Sequence, residues 1–231
     1  MAFPIDLNCD VGELADSAHE AALMQYITSA NIACGGHAGD EASMERTARL
    51  ALERGVRIGA HPGYPDRAGF GRLEMPMSAA EIVRTVGEQI SRLDAVVGKL
   101  GARVVHVKPH GALYNVAVRN DDVARAIGTA VVEWNPEVTV FGLAGSRMLE
   151  VWRDMGLAVA AEAFADRRYE PDGTLRPRKF SDALISDPRA AAAQAVCLAR
   201  EGKAQTICVH GDTPGAVEIL RACREALWSM D

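Results

Sequence analysis

The chain has 231 residues, 48% of them hydrophobic and 24% charged, a balance ordinary for a globular protein with a sizeable core. Its net charge of −6, with Lys and Arg scattered along the chain, excludes the basic stripe of a nucleic-acid-binding protein. No apolar run reaches the ~18 residues of a membrane span, the N-terminal segment does not resemble a signal peptide, and the five cysteines form no C-x-x-C pair. These features predict a cytoplasmic protein with reduced thiols and no nucleic-acid or membrane partner.

Seven short β-rich runs alternate with helical patterns along the chain. The strands are predicted at residues 4–9, 30–34, 56–60, 103–108, 138–143, 157–161 and 205–210. Strict alternation of strand and helix predicts a parallel sheet with helical crossovers. Seven such units favour a closed (β/α)7 barrel, which we expect to form a single domain over residues 1–231.

Helix starts are marked by residues that accept hydrogen bonds from a first helical turn. Ser78 and Glu81 form a capping box before a long helix that is predicted to end near Gly101. Further N-caps are predicted at Asp40, Asn120, Asp187 and Thr213. Two connecting segments, 61–77 and 162–186, are unusually long, and long loops in compact domains are usually functional.

Polar residues interrupt strands that should be apolar if they are buried in a parallel sheet. Polar residues alternate with apolar ones in the first strand (Asp6, Asn8, Asp10) and in the fourth (His106, Lys108, His110). Two more, Glu162 and Asp166, follow the sixth strand, and His210 and Asp212 lie at the end of the seventh and after it. Period two places alternate residues on one face, and the sites of parallel barrels lie at the carboxyl ends of the strands. These groups are therefore predicted to converge on one rim.

The predicted chemistry of this rim is proton transfer and anion binding. Asp10, His61 and His110 are candidates for proton transfer, and Lys108 is a candidate for holding a carboxylate or phosphate. These four are the predicted catalytic residues. Each has a structural alternative: a carboxylate that caps a loop, a histidine that bonds loop carbonyls, or a lysine that extends to solvent.

The residues leave open whether the site holds a metal. Asp10 with His37 and His61 suits a divalent metal that keeps a position free for water, but no H-E-x-x-H pair is present. No G-x-x-x-x-G-K-[ST] loop occurs, and no G-x-G-x-x-G follows a strand, so ATP or NAD binding by those devices is not expected. The three strand cysteines, Cys9, Cys34 and Cys208, have no adjacent base and are expected to pack as small hydrophobic residues.

Seven motifs, in order along nearly the whole chain, resemble those of the LamB/YcsF family. They are Ile5-Asp-Leu-Asn-Cys-Asp10, Ser29-Ala-Asn-Ile-Ala-Cys34 with Gly-His37-Ala-Gly-Asp40, Gly59-Ala-His-Pro-Gly63, Gly69-Phe-Gly-Arg72, Val107-Lys-Pro-His-Gly-Ala-Leu-Tyr-Asn115, Phe164-Ala-Asp-Arg167 with Tyr169, and Val209-His-Gly-Asp212. Two positions depart from the family pattern, since Gly36 stands where Phe is usual and Leu73 where a second Arg is common. In addition, the segment after Glu13 (Leu-Ala-Asp) is atypical and short. These departures concern the shape of the pocket mouth more than the chemistry.

The resemblance implies a seven-stranded barrel like those of glycoside hydrolases and polysaccharide deacetylases. It implies the function of the A subunit of the prokaryotic ATP-dependent 5-oxoprolinase, which opens a small-molecule lactam, 5-oxo-L-proline, to L-glutamate. ATP is then the co-substrate, 5-oxoprolinase subunits B and C are the partners, and a homo-oligomer of this chain is also compatible. The residues expected to bind substrate are Asn8, Asn31, Arg72, Tyr114, Asn115, Arg167, His210 and Asp212.

Two other functions compete with this one. The first is a metal-dependent amide hydrolase or carbohydrate deacetylase that acts alone, which the Asp and His residues of the rim would serve. The second is a non-catalytic scaffold subunit that positions its partners, which the convergence of acids and histidines disfavours.

Overall fold

Seven parallel strands close into a barrel in chain order, with the last strand paired to the first. The structure, a computed structural model, describes residues 5–230, so Pro4, the predicted start of the first strand, lies outside the described residues. The strands are β1 (Asp6–Val11), β2 (Ser29–Ala33), β3 (Arg57–His61), β4 (His106–Val107), β5 (Thr139–Leu143), β6 (Ala158–Phe164) and β7 (Thr206–His210). The predicted (β/α)7 barrel is confirmed.

Eight helices surround the barrel within the described part of the chain. They are α1 (Ser17–Leu23), α2 (Glu41–Glu53), α3 (Ala79–Lys99), α4 (Gly111–Arg119), α5 (Asp121–Trp134), α6 (Arg147–Asp154), α7 (Pro188–Arg200) and α8 (Ala216–Trp228). The additional helix arises because two helices, α4 and α5, connect β4 to β5. None of the helices between residues 5 and 230 has both the length and the apolar character to cross a membrane.

The local rules of helix capping hold at all but one of the predicted starts. The capping box of Ser78 and Glu81 is present, and Asp40, Asn120 and Asp187 each accept hydrogen bonds from their helices. The prediction for Thr213 is wrong: α8 begins after Gly215, and the Thr213 hydroxyl donates to a carboxylate of the site, Asp166.

The barrel separates apolar from polar residues by strand alternation. Leu7, Cys9 and Val11 of β1 are buried in the hydrophobic core between the sheet and the helices. The alternate residues Asn8 and Asp10 are also buried, but they bond to polar groups of other strands. The interior is therefore a polar column, in the layered manner of parallel barrels.

A continuous chain of hydrogen bonds fills the middle of this column. His106 bonds Asn31 Oδ1 at 2.9 Å, Asn31 donates to Asn8 Oδ1 at 2.8 Å, and Asn8 donates to Thr206 Oγ1 at 2.7 Å. Gly59 makes room for His106, because a Cβ on this glycine would lie 2.0 Å from the imidazole. The column is satisfied internally, which buried polar groups require.

Candidate active site

A cavity of about 580 Å³ opens at the carboxyl ends of the strands. Ten of the thirteen residues predicted for the site line it: Asp10, His61, Arg72, Lys108, His110, Tyr114, Asn115, Arg167, His210 and Asp212. Both long loops, 62–78 and 165–187, contribute to its wall. The predicted convergence at one rim is therefore observed, although the function of each residue stays a proposal.

A buried lysine joins two carboxylates at the floor of the cavity. Lys108 Nζ lies 2.8 Å from Asp10 Oδ1 and 3.0 Å from Glu162 Oε1. Burial acts against both charges of the Lys108–Asp10 pair, but their mutual attraction prevails. The pKa of Lys108 is raised well above its ordinary value, and that of Asp10 is lowered well below it, with His61 and Lys108 as the main causes.

Two histidines beside Asp10 have their tautomers fixed by backbone carbonyls. His61 Nδ1 lies 2.7 Å from the Lys108 carbonyl, and His110 Nε2 lies 2.9 Å from the Phe70 carbonyl. Each of these nitrogens must carry a hydrogen, because a carbonyl oxygen only accepts. The remaining nitrogens, His61 Nε2 and His110 Nδ1, face each other at 3.0 Å. Burial lowers the pKa of His61, but Asp10 raises it above its ordinary value. Burial, His37 and His61 lower the pKa of His110 well below its ordinary value, so His110 Nδ1 carries a lone pair.

Glu13 completes this group from the loop after β1. Its Oε1 lies 2.9 Å from His37 Nε2, 3.4 Å from His110 Nδ1 and 3.8 Å from His61 Nε2. Burial and repulsion by Asp10 raise the pKa of Glu13 to about 7. Glu13 was not predicted as a site residue, because it follows the strand and lies outside the alternating pattern. A carboxylate directly after Gly12 at a strand end was the available indication.

His37 supports this group from behind the cavity wall. It stacks on His110 with ring centroids 3.6 Å apart and planes within 5°, and its Nδ1 has no hydrogen-bond partner among the described residues. Burial and the neighbouring His61 lower the pKa of His37 to about 2, so the ring is neutral. Its contact with Glu13, rather than with Asp10, makes it a residue that positions Glu13.

The loop after β3 presses its backbone against these rings. Phe70 has a φ of 55°, uncommon for a residue other than glycine, and this conformation directs its carbonyl to His110. At Gly71, with a φ of 63°, a Cβ would lie 2.7 Å from His37 Cβ and 2.9 Å from His110 Cδ2. The glycine of the Gly69-Phe-Gly-Arg72 motif is therefore required by both the backbone conformation and the close approach.

Arginines line the opposite wall of the cavity. Arg72 and Arg178, from the two long loops, both bond Asp212, the latter at 3.4 Å. Arg167 is buried, donates through Nη2 to the Arg176 carbonyl at 2.7 Å, and has no partner at Nε within the described chain. Burial and repulsion by Arg178 lower the pKa of Arg167 to about 10, so it still carries its charge at neutral pH. A buried cation with a free donor suits an anionic ligand.

His210 is held at the cavity wall by a buried carboxylate. Its Nδ1 lies 3.0 Å from Asp166 Oδ2, which also accepts from the His210 backbone N–H at 3.1 Å. Burial tends to raise the pKa of Asp166, but His210 and Thr213 lower it below its ordinary value. Asp166 thus orients His210 and fixes which ring nitrogen faces the cavity.

A tyrosine and a thiol at the site also stay neutral. Burial and the charge of Glu162 raise the pKa of Tyr114 well above its ordinary value, so its hydroxyl keeps its hydrogen. Cys208 Sγ lies 3.0 Å from Lys108 Nζ, yet burial raises the pKa of this thiol as well. The expectation that the strand cysteines are buried is confirmed.

Three predicted residues, Asn8, Asn31 and His37, do not line the cavity. Asn8 and Asn31 belong to the polar column, where Asn31 donates to Asp10 Oδ1 at 2.8 Å. Both amides therefore support the position of Asp10 from the barrel interior. Glu162, by contrast, was recognised only as part of the polar pattern, and its contact with Lys108 places it in the site.

The two departures from the family pattern lie away from the cavity lining. Gly36 packs on Gln89, where a Cβ would be 2.2 Å from Oε1. Leu73 is 63% exposed beside Arg72. The expectation that they reshape the pocket mouth receives no support from their positions.

Comparison with known proteins agrees with this picture. The LamB/YcsF family model matches residues 5–231. A protein of Chloroflexus aggregans, named as the A subunit of 5-oxoprolinase, is 49% identical over 96% of this chain and 94% of its own length. The crystal structure of a lactam utilization protein from Thermus thermophilus superposes with a TM-score of 0.88 at 40% identity, covering 96% and 95% of the two chains. A peptidoglycan N-acetylglucosamine deacetylase domain from Eubacterium rectale shares the fold alone, with a TM-score of 0.52 at 10% identity over 96% and 82% of the chains.

Proposed function

Because the chain belongs to the LamB/YcsF family, we propose that it is the A subunit of an ATP-dependent 5-oxoprolinase, which hydrolyses the lactam of 5-oxo-L-proline to L-glutamate. The observation that carries the proposal is the agreement of nearly the whole chain with relatives of that name and with a lactam utilization protein. The cavity supplies the groups that such a reaction needs.

Opening a lactam requires an activated carbonyl, a water nucleophile and a proton for the departing nitrogen. Amide resonance makes the carbonyl a poor electrophile, and phosphorylation of its oxygen by ATP removes that resonance. ADP leaves in that step, water adds to the carbonyl carbon, and the C–N bond breaks as nitrogen takes a proton from the water. The acyl phosphate that remains is hydrolysed by a second water to the carboxylate and phosphate. We assign the activation of water and the movement of its proton to the cluster of Asp10, His61 and His110.

Two cations of the cavity are placed to hold the anionic parts of the substrate. Arg167 has a buried guanidinium with an unpartnered Nε, which suits the carboxylate of 5-oxoproline. Lys108 is charged and lies beside Asp10, where it stabilises negative charge that develops on the reacting oxygen. Arg72, Tyr114, Asn115, His210 and Asp212 complete the proposed substrate wall.

The name of the relatives implies that this chain works in a multi-subunit enzyme. We propose subunits B and C as its partners and ATP as the co-substrate of the assembled complex. The absence of a G-x-x-x-x-G-K-[ST] loop from the sequence is consistent with nucleotide binding that involves the partners. A reaction that consumes ATP, together with the reduced thiols, supports a cytoplasmic location.

The decisive experiment measures glutamate released from 5-oxoproline and ATP by the purified chain, with and without its partner subunits. We expect release only when all subunits and ATP are present. A complete complex that forms no glutamate would contradict the proposal. Hydrolysis of amides by the chain alone, without ATP, would instead favour the independent amide hydrolase.

A further inference from the structure

We propose that Asp10, Glu13, His61 and His110 form a binding site for one divalent transition metal ion of the zinc type. The inference deepens the proposed function, on which it rests for its catalytic meaning. It replaces His37, the third ligand expected from the sequence, by His110 and Glu13.

Backbone carbonyls fix which nitrogens of His61 and His110 point into the cluster. The carbonyls of Lys108 and Phe70 accept from one nitrogen of each ring, so the other nitrogens, His61 Nε2 and His110 Nδ1, both point into the cluster, 3.0 Å apart. Oδ2 of Asp10 lies 3.3 Å from His61 Nε2, and Oε1 of Glu13 lies beside both ring nitrogens. A metal ion in place of the proton on His61 Nε2 would accept lone pairs from all four side chains.

The ligand atoms of the four side chains lie at separations typical of a metal site. His61 Nε2 lies 3.3 Å from Asp10 Oδ2 and 3.8 Å from Glu13 Oε1. His110 Nδ1 lies 3.4 Å from Glu13 Oε1. Tetrahedral metal–ligand bonds of about 2.0–2.2 Å give ligand separations of about 3.3–3.6 Å. The measured separations, including the 3.0 Å between the two nitrogens, scatter around that value.

The charge of the buried cluster also favours a cation. Asp10, Glu13 and Glu162 bring three carboxylates, and Lys108 is the cation that contacts two of them. Two other carboxylates near the cavity have their own partners: Asp166 contacts His210, and Asp212 contacts Arg72 and Arg178. The cluster is therefore acidic, and a dication bound there would keep Glu13, whose pKa is raised to about 7, ionised.

The ligand set also fits the ion by its chemistry. Two imidazole nitrogens and two carboxylate oxygens are ligands that Zn²⁺ and its neighbours accept. His37 contacts Glu13 from behind, and the backbone carbonyls hold the two rings, as the outer contacts of metal sites commonly do. The ion would supply a Lewis acid at the cavity floor, next to the carboxylates and histidines to which we assign the activation of water.

The test measures metal uptake without the lactam reaction. The purified full-length chain is freed of metal with a chelator, incubated with Zn²⁺, desalted and analysed for bound metal by mass spectrometry. We expect about one equivalent in the wild-type chain and below about 0.2 equivalent in Glu13→Gln and in His110→Gln. His19→Gln is the matched control, since His19 bonds the Gly211 carbonyl outside the cluster, and it should retain the wild-type amount.

Structure and ligand identity are checked separately from uptake. Circular dichroism must show that both variants are folded, and X-ray absorption of the zinc-loaded wild type should show two imidazoles with N/O distances of about 2.0–2.2 Å. If a variant fails to fold, the X-ray absorption spectrum of the wild type still tests the site, because it shows whether two imidazoles bind the zinc. Less than about 0.1 equivalent in the wild type, or equal uptake by folded variants, overturns the metal site. Neither result depends on glutamate release, so failure here and failure of the proposed function are told apart.

Discussion

Lys108 and Asp10 form a salt bridge of 2.8 Å in which each side chain is only 3% exposed. The pKa of the lysine is raised and that of the aspartate is lowered, so the pair stays ionised at neutral pH. An ion pair that gives up its solvation needs further partners, which Glu162 and Asn31 provide.

Lys108→Met should be both inactive and less stable. Removal of the cation leaves two buried carboxylates without their partner, which costs about 3–5 kcal/mol in the free energy of unfolding. We expect turnover to fall by at least ~100-fold. Urea denaturation of Lys108→Met and of Lys108→Met/Glu162→Gln checks the origin of the loss, because the second change removes one unpaired charge and should restore part of the stability. Near-normal turnover in Lys108→Met would eliminate its proposed role.

Asp10→Asn should lower turnover by at least ~100-fold while the barrel stays folded, because an amide supplies no negative charge next to His61. Asp6→Asn is the matched control, since Asp6 is on the same strand at the other end of the column and is not part of the cavity lining. Glutamate release by the assembled enzyme distinguishes them. Equal activities of the two variants would contradict the role of Asp10.

Asp6 should make the stability of the chain depend on pH in the acid range. Burial acts to raise the pKa of Asp6, but Thr206, Thr28 and Arg57 lower it below its ordinary value of 3.8. A lowered pKa in the folded state means that this stabilisation is present above the unfolded pKa and is lost as pH falls through the folded one. We expect Asp6→Asn to reduce the free energy of unfolding by about 1–3 kcal/mol at pH 7.

The difference between wild type and Asp6→Asn should shrink as the pH falls below 3.8 and the wild-type carboxyl takes up its proton. Denaturation curves at pH 7 and at acid pH measure this difference in the free energy of unfolding. A difference that stays constant over this range would show that the charge of Asp6 is not its cause.

Arg167→Gln should raise the KM for 5-oxoproline by about 10–100-fold, since a charge-assisted hydrogen bond to the substrate is lost. Arg168→Gln removes the same charge at the next position, where the side chain is exposed, and should behave as wild type. Steady-state kinetics of the complete enzyme give both values. The assignment fails if the two variants have the same KM.

Gly36→Ala should destabilise the chain by about 1–3 kcal/mol, because the added methyl displaces Gln89 from its bonds to the Gly63 backbone. In a Gln89→Ala background the same substitution should cost less than about 0.5 kcal/mol, since the space is then free. Denaturant midpoints of the four chains give the coupling. Additive effects would mean that Gln89 is not what excludes a side chain at position 36.

Alternation along the strands predicted more of this site than any other pattern in the sequence. It placed Asp10, Lys108 and His110 on one rim, because period two and the parallel arrangement leave no other choice. Glu13 was missed because it lies in a loop, where side chains do not follow the alternation of a strand. The burial of Arg167 and the exposure of Arg168 depend on how the long loop after β6 folds back, with Arg167 bridged to Leu184, which neighbouring residues do not encode.

The same limit applies to the ends of elements. β4 was predicted over six residues, 103–108, but spans only His106–Val107, since its pairing depends on β3 and β5 rather than on its own composition. Thr213 precedes a proline as an N-cap would, yet its hydroxyl is taken by Asp166. Tertiary contacts therefore determine both the length of β4 and the partner of the Thr213 hydroxyl.

The bridge from Asp212 to Arg72 and Arg178 ties together the two long loops over the cavity. Its side chains are between 18% and 38% exposed, so dissolved salt reaches and weakens it. An anionic substrate also competes with Asp212 for the same guanidinium groups. Ionic strength therefore changes the speed of substrate capture, because it weakens the bridge that holds the two loops over the opening.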